Sequence, residues 1–211
     1  WQATPGKVVD LVRNLGIAAG GTVMEDCRVL EACREGKYTS VLVQTHDKKY
    51  VEYRTEHFVN ALGSGAGKLC DSMGIDAGLY PVRHQAFITR RLPMLGKHGT
   101  NLDMLIDRQD YKGFSAVYGQ QIAYTGQIIG CASPKLDAMR IDKNLKVNTK
   151  AFLEIVSEMF SEWIPDLAGV GIQAVWAGYY TEPRYIVDPE LGLFVGMCGH
   201  GFMLSQYIAR M

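Results

Sequence analysis

The sequence GLFVGMCGHGFMLSQYIARM, residues 192–211, joins a short apolar run, a cluster of glycines and a helical pattern. Residues 193–195 suit a buried strand, and Gly196, Gly199 and Gly201 follow. Glycine has no Cβ atom, so the backbone can approach a flat ligand closely. A helix that begins near Gly201 directs free N–H groups and the positive end of its dipole toward the same space. The stretch predicts a backbone site for an electron-rich group, although on spacing alone a plain strand–turn–helix fits equally well.

The composition predicts a globular protein with enough apolar surface for a core. Of 211 residues, 47% are apolar and 21% are charged, and the formal net charge is zero. No basic block is present, so the sequence offers no electrostatic case for binding nucleic acid or an anionic membrane. No apolar run is long enough to predict a membrane-spanning helix.

The five cysteines are dispersed through the sequence, and no two of them form a C-x-x-C pair. Because the number of cysteines is odd and they are scattered, the sequence indicates a reduced chain and a cytoplasmic location. The five histidines do not cluster with the cysteines, so no metal site is predicted. The chain begins with Trp1 and ends at Met211 within a helical pattern, and we therefore expect it to be a piece of a longer protein.

The first third of the sequence predicts a helix followed by a small antiparallel meander. Thr4 and Pro5 suit the start of the helix, and Gly16 can end it. The apolar residues of the helix fall on one face: Val8, Leu11, Val12 and Leu15. The turn-prone segments REGK and HDKK then separate three β-type runs, residues 22–33, 39–45 and 49–54.

The stretch FVNALGSGAGKL, residues 58–69, predicts a strand, a glycine turn and the start of a helix, which is the usual layout of a phosphate or nucleotide site. It does not match the phosphate-binding P-loop, because Leu62 replaces the first glycine of that motif and Leu69 its Ser or Thr. It does not match a dinucleotide turn either, because Lys68 replaces the last glycine. A tight turn that caps a helix is therefore favoured, and backbone approach to a ligand is the alternative.

The middle of the sequence predicts a second layer or domain. Two stretches rich in Tyr, Val, Ile and Gln, YPVRHQAFITRRLP and FSAVYGQQIAYTGQIIGCAS, predict long strands of a broad antiparallel sheet. An amphipathic helix over residues 149–163 ends before Pro165 and carries its apolar face at Phe152, Ile155, Val156, Met159, Phe160 and Trp163. The fold class is therefore α/β (α+β) with a large antiparallel sheet.

The C-terminal stretch WAGYYTEPRYIVDPELGLFVGMCGHGFMLSQYIARM resembles the C-terminal signature of the D-amino-acid oxidase superfamily of FAD-dependent oxidoreductases, nearest to its sarcosine and glycine oxidase branch. Three further stretches resemble that family in the same order: the helix and adenine-side strand at residues 4–32, the strand and turn beside the dinucleotide, and the first strand of the substrate domain. The resemblance implies a partial FAD-binding domain over residues 1–78, a substrate domain over 79–168 and a return to the FAD-binding domain over 169–211.

The resemblance also implies which residues contact FAD. Val29 takes the adenine side, Asn60, Ala61 and Gly63 lie near the dinucleotide, and a backbone segment meets the flavin pyrimidine edge: Gly199, His200, Gly201, Phe202 and Met203. A side chain at Gly201 is expected to block this approach and to demand a forbidden φ. The family's G-x-G-x-x-G turn is absent from this sequence, so the chain alone is expected to bind FAD poorly and to be inactive.

The implied activity is oxidation of a small amine or amino acid, in which a hydride equivalent passes from a C–H bond beside nitrogen to flavin N5. Tyr118 and Tyr180 are candidate walls of the substrate pocket, and Arg184 is a candidate partner for a substrate carboxylate. From the residues alone, the tyrosines also suit sheet packing and Arg184 a surface charge.

Two departures from the family pattern refine this picture. Gly178 stands where sarcosine-oxidase relatives attach their flavin through a cysteine, which implies non-covalent FAD. Met203 stands where some relatives carry a basic residue, which leaves both oxidase and dehydrogenase behaviour open. The alternative function is a non-catalytic, flavoprotein-like subunit or binding module, and an oligomer or a partner subunit is also left open.

Overall fold

The computed structural model describes residues 3–96, 101–109, 114–134, 149–182 and 186–211. The chain divides into two compact units, which we call the first unit (Trp1–Leu79 with Thr181–Met211) and the second unit (Tyr80–Tyr180). The chain leaves the first unit after Leu79 and returns to it at Thr181, after most of a strand that belongs to the sheet of the second unit. The division into FAD-binding and substrate domains stays a prediction.

Along the described chain, groups of three, four and three strands lie between successive α-helices. In chain order they are α1 (Pro5–Ala18), β1 (Arg28–Glu35), β2 (Tyr38–Gln44), β3 (Tyr50–Thr55), α2 (Ala66–Ser72), β4 (Tyr80–Thr89), β5 (Leu105–Asp107), β6 (Phe114–Gln121), β7 (Ile128–Pro134), α3 (Thr149–Trp163), β8 (Ile172–Glu182), β9 (Ile186–Asp188), β10 (Leu193–Val195) and α4 (Gly201–Ile208).

The first unit contains the predicted meander. β1, β2 and β3 form an antiparallel sheet in that order, and α2 packs against β1. The Ser72 hydroxyl, at the end of α2, accepts a hydrogen bond from the Ala32 N–H at 3.0 Å and lies 3.2 Å from the Ala32 carbonyl. The buried residues of this unit's sheet core are Ala32, Val41, Val43 and Leu69.

Helix α1 forms where the sequence predicts it but does not pack inward. Pro5 occupies its first turn, Thr4 precedes it, and the helix continues past Gly16 to Ala18. No residue of α1 is buried, and the side chains of Leu11 and Leu15 are 58% and 61% exposed. The apolar face that the sequence predicts is therefore largely exposed in the part of the chain that the structure describes.

The second unit is a five-stranded sheet in the order β5-β6-β7-β4-β8, with one face covered by α3. The pairs β5–β6, β6–β7 and β4–β7 are antiparallel, as predicted. The inner face of α3 is also as predicted, and Phe87 of β4 packs edge-on against Phe160 at 5.6 Å. Burying a side chain of this size contributes about 1.5–3 kcal/mol, so this face anchors the unit.

Side chains of the second sheet alternate between its two faces. On β4, Gln85, Phe87 and Thr89 are fully buried on the α3 side, whereas His84 and Ala86 point to the opposite face. The single long stretch that predicted β6 and β7 forms a hairpin that turns through Tyr124 and Gly126, both with positive φ. The face opposite α3 is the one that carries the cavity described below.

Among the described residues, no helix has both the length and the apolar character required to cross a bilayer. The same residues bring together no group of three or more His, Cys, Asp or Glu side chains that could hold a metal ion.

Candidate functional site

The segment between β10 and α4, residues 196–200, is a tight turn that we call the glycine loop. Gly196, Cys198 and Gly199 have φ values of 69°, 41° and 78°, in the left-handed region. The His200 N–H donates to the Met197 carbonyl at 2.8 Å and closes the turn. The left-handed region penalises any residue with a Cβ atom, so the two glycines are required by the backbone itself.

Gly201, in contrast, begins α4 with an ordinary backbone. Its φ is not in the left-handed region, and a Cβ atom at this position would lie 3.1 Å from the Met197 Cβ. The expectation that a side chain at Gly201 demands a forbidden φ was therefore wrong. The conformational demand falls on Gly196 and Gly199, and at Gly201 the obstacle is a close side-chain contact.

A parallel pairing brings the two glycine-rich turns of the first unit to the same edge. Asn60 forms a parallel bridge with Leu193. The Asn60 N–H donates to the Gly192 carbonyl at 2.7 Å, and the Phe194 N–H donates to the Asn60 carbonyl at 3.1 Å. When two segments run parallel, their C-terminal ends lie side by side, and so do the turns that follow them. The turn after Asn60 and the glycine loop after β10 therefore belong to one locality.

The Asn60 side chain organises the first of these turns. It is fully buried, its Nδ2 donates to the Ala66 carbonyl at 3.2 Å, and its Oδ1 accepts from the Leu62 N–H at 3.2 Å. A buried amide that meets its partners in this way fixes the local backbone. Asn60 thus holds the turn through internal bonds, and residues 61–65 of the turn, which include Ala61 and Gly63, are exposed.

Gly63 and Gly192 show two different uses of glycine beside this edge. Gly63 has φ +55°, and a Cβ atom built there meets nothing within 4 Å. Gly192 has φ +67°, and a Cβ atom there would lie 1.9 Å from the Phe58 carbonyl oxygen. Gly63 therefore leaves open space above an exposed backbone, whereas Gly192 lets two backbone segments touch. Gly192 was not singled out from the sequence, because the approach of Phe58 is a tertiary contact.

The start of α4 supplies the remaining groups of this locality. The first N–H groups of a helix have no partner within it and carry its positive dipole end. The side chains of Phe202 and Met203, on the first turn, are exposed, Met203 by 70%, while His200 is half-buried. These features suit an electron-rich carbonyl or an anion held against backbone N–H groups.

Val29 lies on β1. It pairs with Val43, and a register shift follows before Glu31 pairs with Leu42. Its half-buried side chain packs against the sheet core of the first unit. The structure therefore gives Val29 a packing role beside a bulge in the strand.

The second unit carries a cavity of about 350 Å³ on the sheet face opposite α3. We call it the aromatic cavity. Its walls come from β4, β6, β7 and β8, and its lining residues are His84, Ala86, Tyr118, Gln120, Ile129, Gly130, Cys131, Trp176, Gly178 and Tyr180. Along each strand, every second side chain points to the same face of the sheet, and here such side chains of adjacent strands meet.

The two predicted pocket tyrosines meet in this cavity. The hydroxyl oxygens of Tyr118 and Tyr180 lie 3.4 Å apart. Burial raises the pKa of Tyr118 far above its ordinary value, and the neighbouring Cys131 and Tyr180 add to this shift. The Tyr118 hydroxyl therefore keeps its proton at any working pH and can donate a hydrogen bond to a bound acceptor.

Two further lining residues were missed from the sequence. The His84 ring stacks on the Tyr180 ring with centroids 3.8 Å apart and planes 22° from parallel. Cys131 is buried, and burial raises the pKa of its thiol to about 11. A period-two reading of β4 and β7 could have placed both on one face, but only the pairing of the strands brings them beside the tyrosines.

Gly178 and Arg184 were also singled out from the sequence. Gly178 lines the aromatic cavity, and a Cβ atom there would meet nothing within 4 Å. Arg184 lies outside the described residues, so its role as a carboxylate partner stays a prediction.

Comparisons with known proteins are consistent with one family. A sequence profile described as "FAD dependent oxidoreductase" matches residues 1–211. Among curated proteins, no sequence match is found. The fold is similar to that of L-proline dehydrogenase from P. horikoshii, with a TM-score of 0.67, 26% identity, and coverage of 92% of this chain and 50% of that one.

Two further solved structures show the same fold at lower identity. Glycine oxidase from Geobacillus kaustophilus matches with a TM-score of 0.64 and 18% identity, over 92% of this chain and 49% of that one. Iminodiacetate oxidase from Chelativorans sp. BNC1 matches with a TM-score of 0.62 and 14% identity, over 93% and 50%. The chain thus spans about half the length of these structures.

Proposed function

This chain belongs to the FAD dependent oxidoreductase family, and we propose that the protein oxidises a small amine or amino acid. The observation that carries the proposal is the aromatic cavity, in which the hydroxyl groups of Tyr118 and Tyr180 lie 3.4 Å apart. A cavity of about 350 Å³ suits a small molecule, and its mixture of aromatic walls and a few polar groups is typical of such sites.

The first unit fits the cofactor of this family. Its fit rests on the exposed backbone at Gly63 with open space above it, on the left-handed glycines 196 and 199, and on the start of α4. We propose that the backbone of residues 199–203 contacts the flavin pyrimidine edge, that Asn60, Ala61 and Gly63 lie near the dinucleotide, and that Val29 lies near the adenine. Gly178 offers no nucleophile, which supports non-covalent binding.

The chemistry of the oxidation belongs to the cofactor, which when bound accepts a hydride equivalent from the substrate carbon beside nitrogen. The chain's own residues bind and orient the substrate. The Tyr118 hydroxyl holds its proton and donates to an acceptor on the substrate, because burial raises its pKa. The rings of Tyr118, Tyr180 and Trp176 cover the substrate's apolar part and exclude water.

A carboxylate on the substrate requires a cation or several donors, because an unpaired buried anion is strongly disfavoured. Arg184 remains our candidate, since a guanidinium group can bind both carboxylate oxygens at once.

The cysteines are odd in number and scattered along the sequence, which supports the proposal of a cytoplasmic location. The absence of a G-x-G-x-x-G turn from the sequence supports weak FAD binding by these 211 residues alone.

Anaerobic absorption spectra of the flavin-loaded protein test the proposal. Amines and amino acids are added one at a time, with proline, glycine and iminodiacetate in the first set. We expect at least one of them to bleach the flavin bands, and Tyr118→Phe to raise the concentration that half-bleaches them. A flavin that dithionite reduces but no amine or amino acid reduces would refute the proposal. That result would favour the alternative, a non-catalytic flavoprotein-like subunit.

A further inference from the structure

Cys198 has an unusual backbone for a residue with a side chain. It lies in the glycine loop, and its φ of 41° is in the same left-handed region as those of Gly196 and Gly199. Glycine adopts this region at little cost, whereas a Cβ atom makes it unfavourable. Two of the three left-handed positions in the loop are glycine, so the side chain at the third must gain something that offsets the backbone penalty.

The gain is a contact with the end of β8. Cys198 is 5% exposed, and its Sγ contacts the Glu182 Oε1. A thiol can donate to a carboxylate, and a hydrogen bond to an ionised acceptor is stronger than one between neutral groups. Both residues belong to the first unit. The contact joins the middle of the glycine loop to a segment sixteen residues earlier in the chain.

We propose that the hydrogen bond from Cys198 to Glu182, the Cys198–Glu182 latch, fixes the conformation of the glycine loop and so presents the start of α4 to the cofactor. Both are positioning residues: they act through the backbone of residues 199–203. The inference rests on the proposed cofactor site for its functional consequence, and on the structure alone for the latch. Without the latch, the middle of the glycine loop loses its tie to the end of β8, so the backbone of residues 199–203 is held less firmly whatever the φ at residue 198.

Four variants separate the latch from the backbone conformation. Cys198→Gly adopts the left-handed φ more easily but has no thiol, and Glu182→Ala removes the acceptor. Cys198→Ser keeps a donor, and Glu182→Gln keeps an acceptor oxygen. Cys33→Ser, an exposed cysteine on β1, is the matched control. If only the backbone conformation matters, Cys198→Gly equals or exceeds the wild type.

The first measurement is FAD affinity, from flavin fluorescence in a titration of the apoprotein. We expect Cys198→Gly and Glu182→Ala to weaken binding about tenfold, or roughly 1.4 kcal/mol, with Cys198→Ser, Glu182→Gln and Cys33→Ser within about twofold of the wild type. Wild-type affinity in Cys198→Gly would overturn the proposal, and so would a loss in Cys198→Ser as large as in Cys198→Gly.

The second measurement needs no flavin. The labelling rate of Cys198 by iodoacetamide is followed by peptide mass spectrometry in the wild type and in Glu182→Ala. We expect labelling in the variant to be at least tenfold faster, with the rate at Cys33 unchanged. Equal rates at Cys198 would overturn the latch. Faster labelling in a protein that binds no FAD would support the latch and refute the cofactor placement of the proposed function instead.

Discussion

In the first unit, the candidate cofactor contacts come from exposed backbone and left-handed glycines, whereas the aromatic cavity of the second unit is lined by side chains that alternate along four strands. The difference predicts two kinds of sensitivity. A site made of backbone is damaged by any added Cβ atom, because the chain must bend away from it. A site made of side chains on a paired sheet tolerates ring exchanges, because the strands remain in register. The predictions below test this contrast.

The largest effect is expected from Gly192→Ala. The new Cβ atom would lie 1.9 Å from the Phe58 carbonyl oxygen, at a φ of +67°. The parallel pairing of Asn60 with Leu193 cannot form without this approach. We expect a loss of about 3 kcal/mol or more in the free energy of unfolding, measured by urea denaturation. Gly63→Ala is the control, because it has a similar φ but open space, and a cost of about 1–2 kcal/mol is expected.

The next effect distinguishes two glycines of the segment that we propose contacts the flavin, residues 199–203. Gly199 has a φ of 78°, whereas Gly201 does not have a left-handed φ. We expect Gly199→Ala to weaken FAD binding about tenfold or more, roughly 1.4 kcal/mol, and Gly201→Ala to do so less, because the Met197 side chain can shift. Fluorescence titration with FAD measures both. Equal losses would show that the loop is not controlled by its left-handed residues.

A comparable effect is expected at Arg184 if the substrate carries a carboxylate. Arg184→Met removes a bidentate donor, and we expect KM for the amino acid to rise tenfold or more, on the order of 1.4 kcal/mol, with flavin content unchanged. Steady-state kinetics against the amino acid and its decarboxylated amine provide the measurement. An equal KM change for both compounds, or none for either, contradicts the assigned role.

A smaller effect is expected at the stacked ring in the aromatic cavity. The His84 ring lies 3.8 Å from that of Tyr180, and such a contact contributes about 0.5–1.5 kcal/mol beyond its buried area. We expect His84→Ala to raise KM about threefold to tenfold, and His84→Phe, which keeps a ring, to restore most of it. Flavin content should stay at the wild-type value in both. A KM in His84→Phe as high as in His84→Ala would show that stacking is not what His84 provides.

The smallest effect concerns Cys131 and pH. Burial raises the pKa of its thiol from 9.0 to about 11, so the folded state holds this proton more tightly than the unfolded state. Its contribution to stability is therefore complete below pH 9 and declines as the pH rises toward 11. Since only the thiolate reacts, labelling of Cys131 should have its midpoint near pH 11. A midpoint near 9 would show that the thiol is not buried in the folded protein.

Much of the fold could be predicted because periodicity reports which face of an element is apolar. The inner face of α3, the meander of β1 to β3 and the antiparallel sheet of the second unit follow from spacing and propensity. Helix α1 also forms as its spacing predicts, but the spacing of an apolar face does not say what covers it. A local pattern does not say which sheet a strand joins, so the place of β8 beside β4 could not be read from the sequence.

The sequence by itself determined the residue types at the two sites: the glycines of the final stretch, Asn60, and the two tyrosines. Only the tertiary structure decided how they are used. The turn that joins β10 to α4 requires a left-handed φ at Gly196 and Gly199 but not at Gly201. The pairing of Tyr118 with Tyr180, and the contact of Cys198 with Glu182, join residues 62 and 16 positions apart. Local propensity acts over a few residues, whereas such contacts depend on which strands pair, so their partners become readable only when the chain is folded.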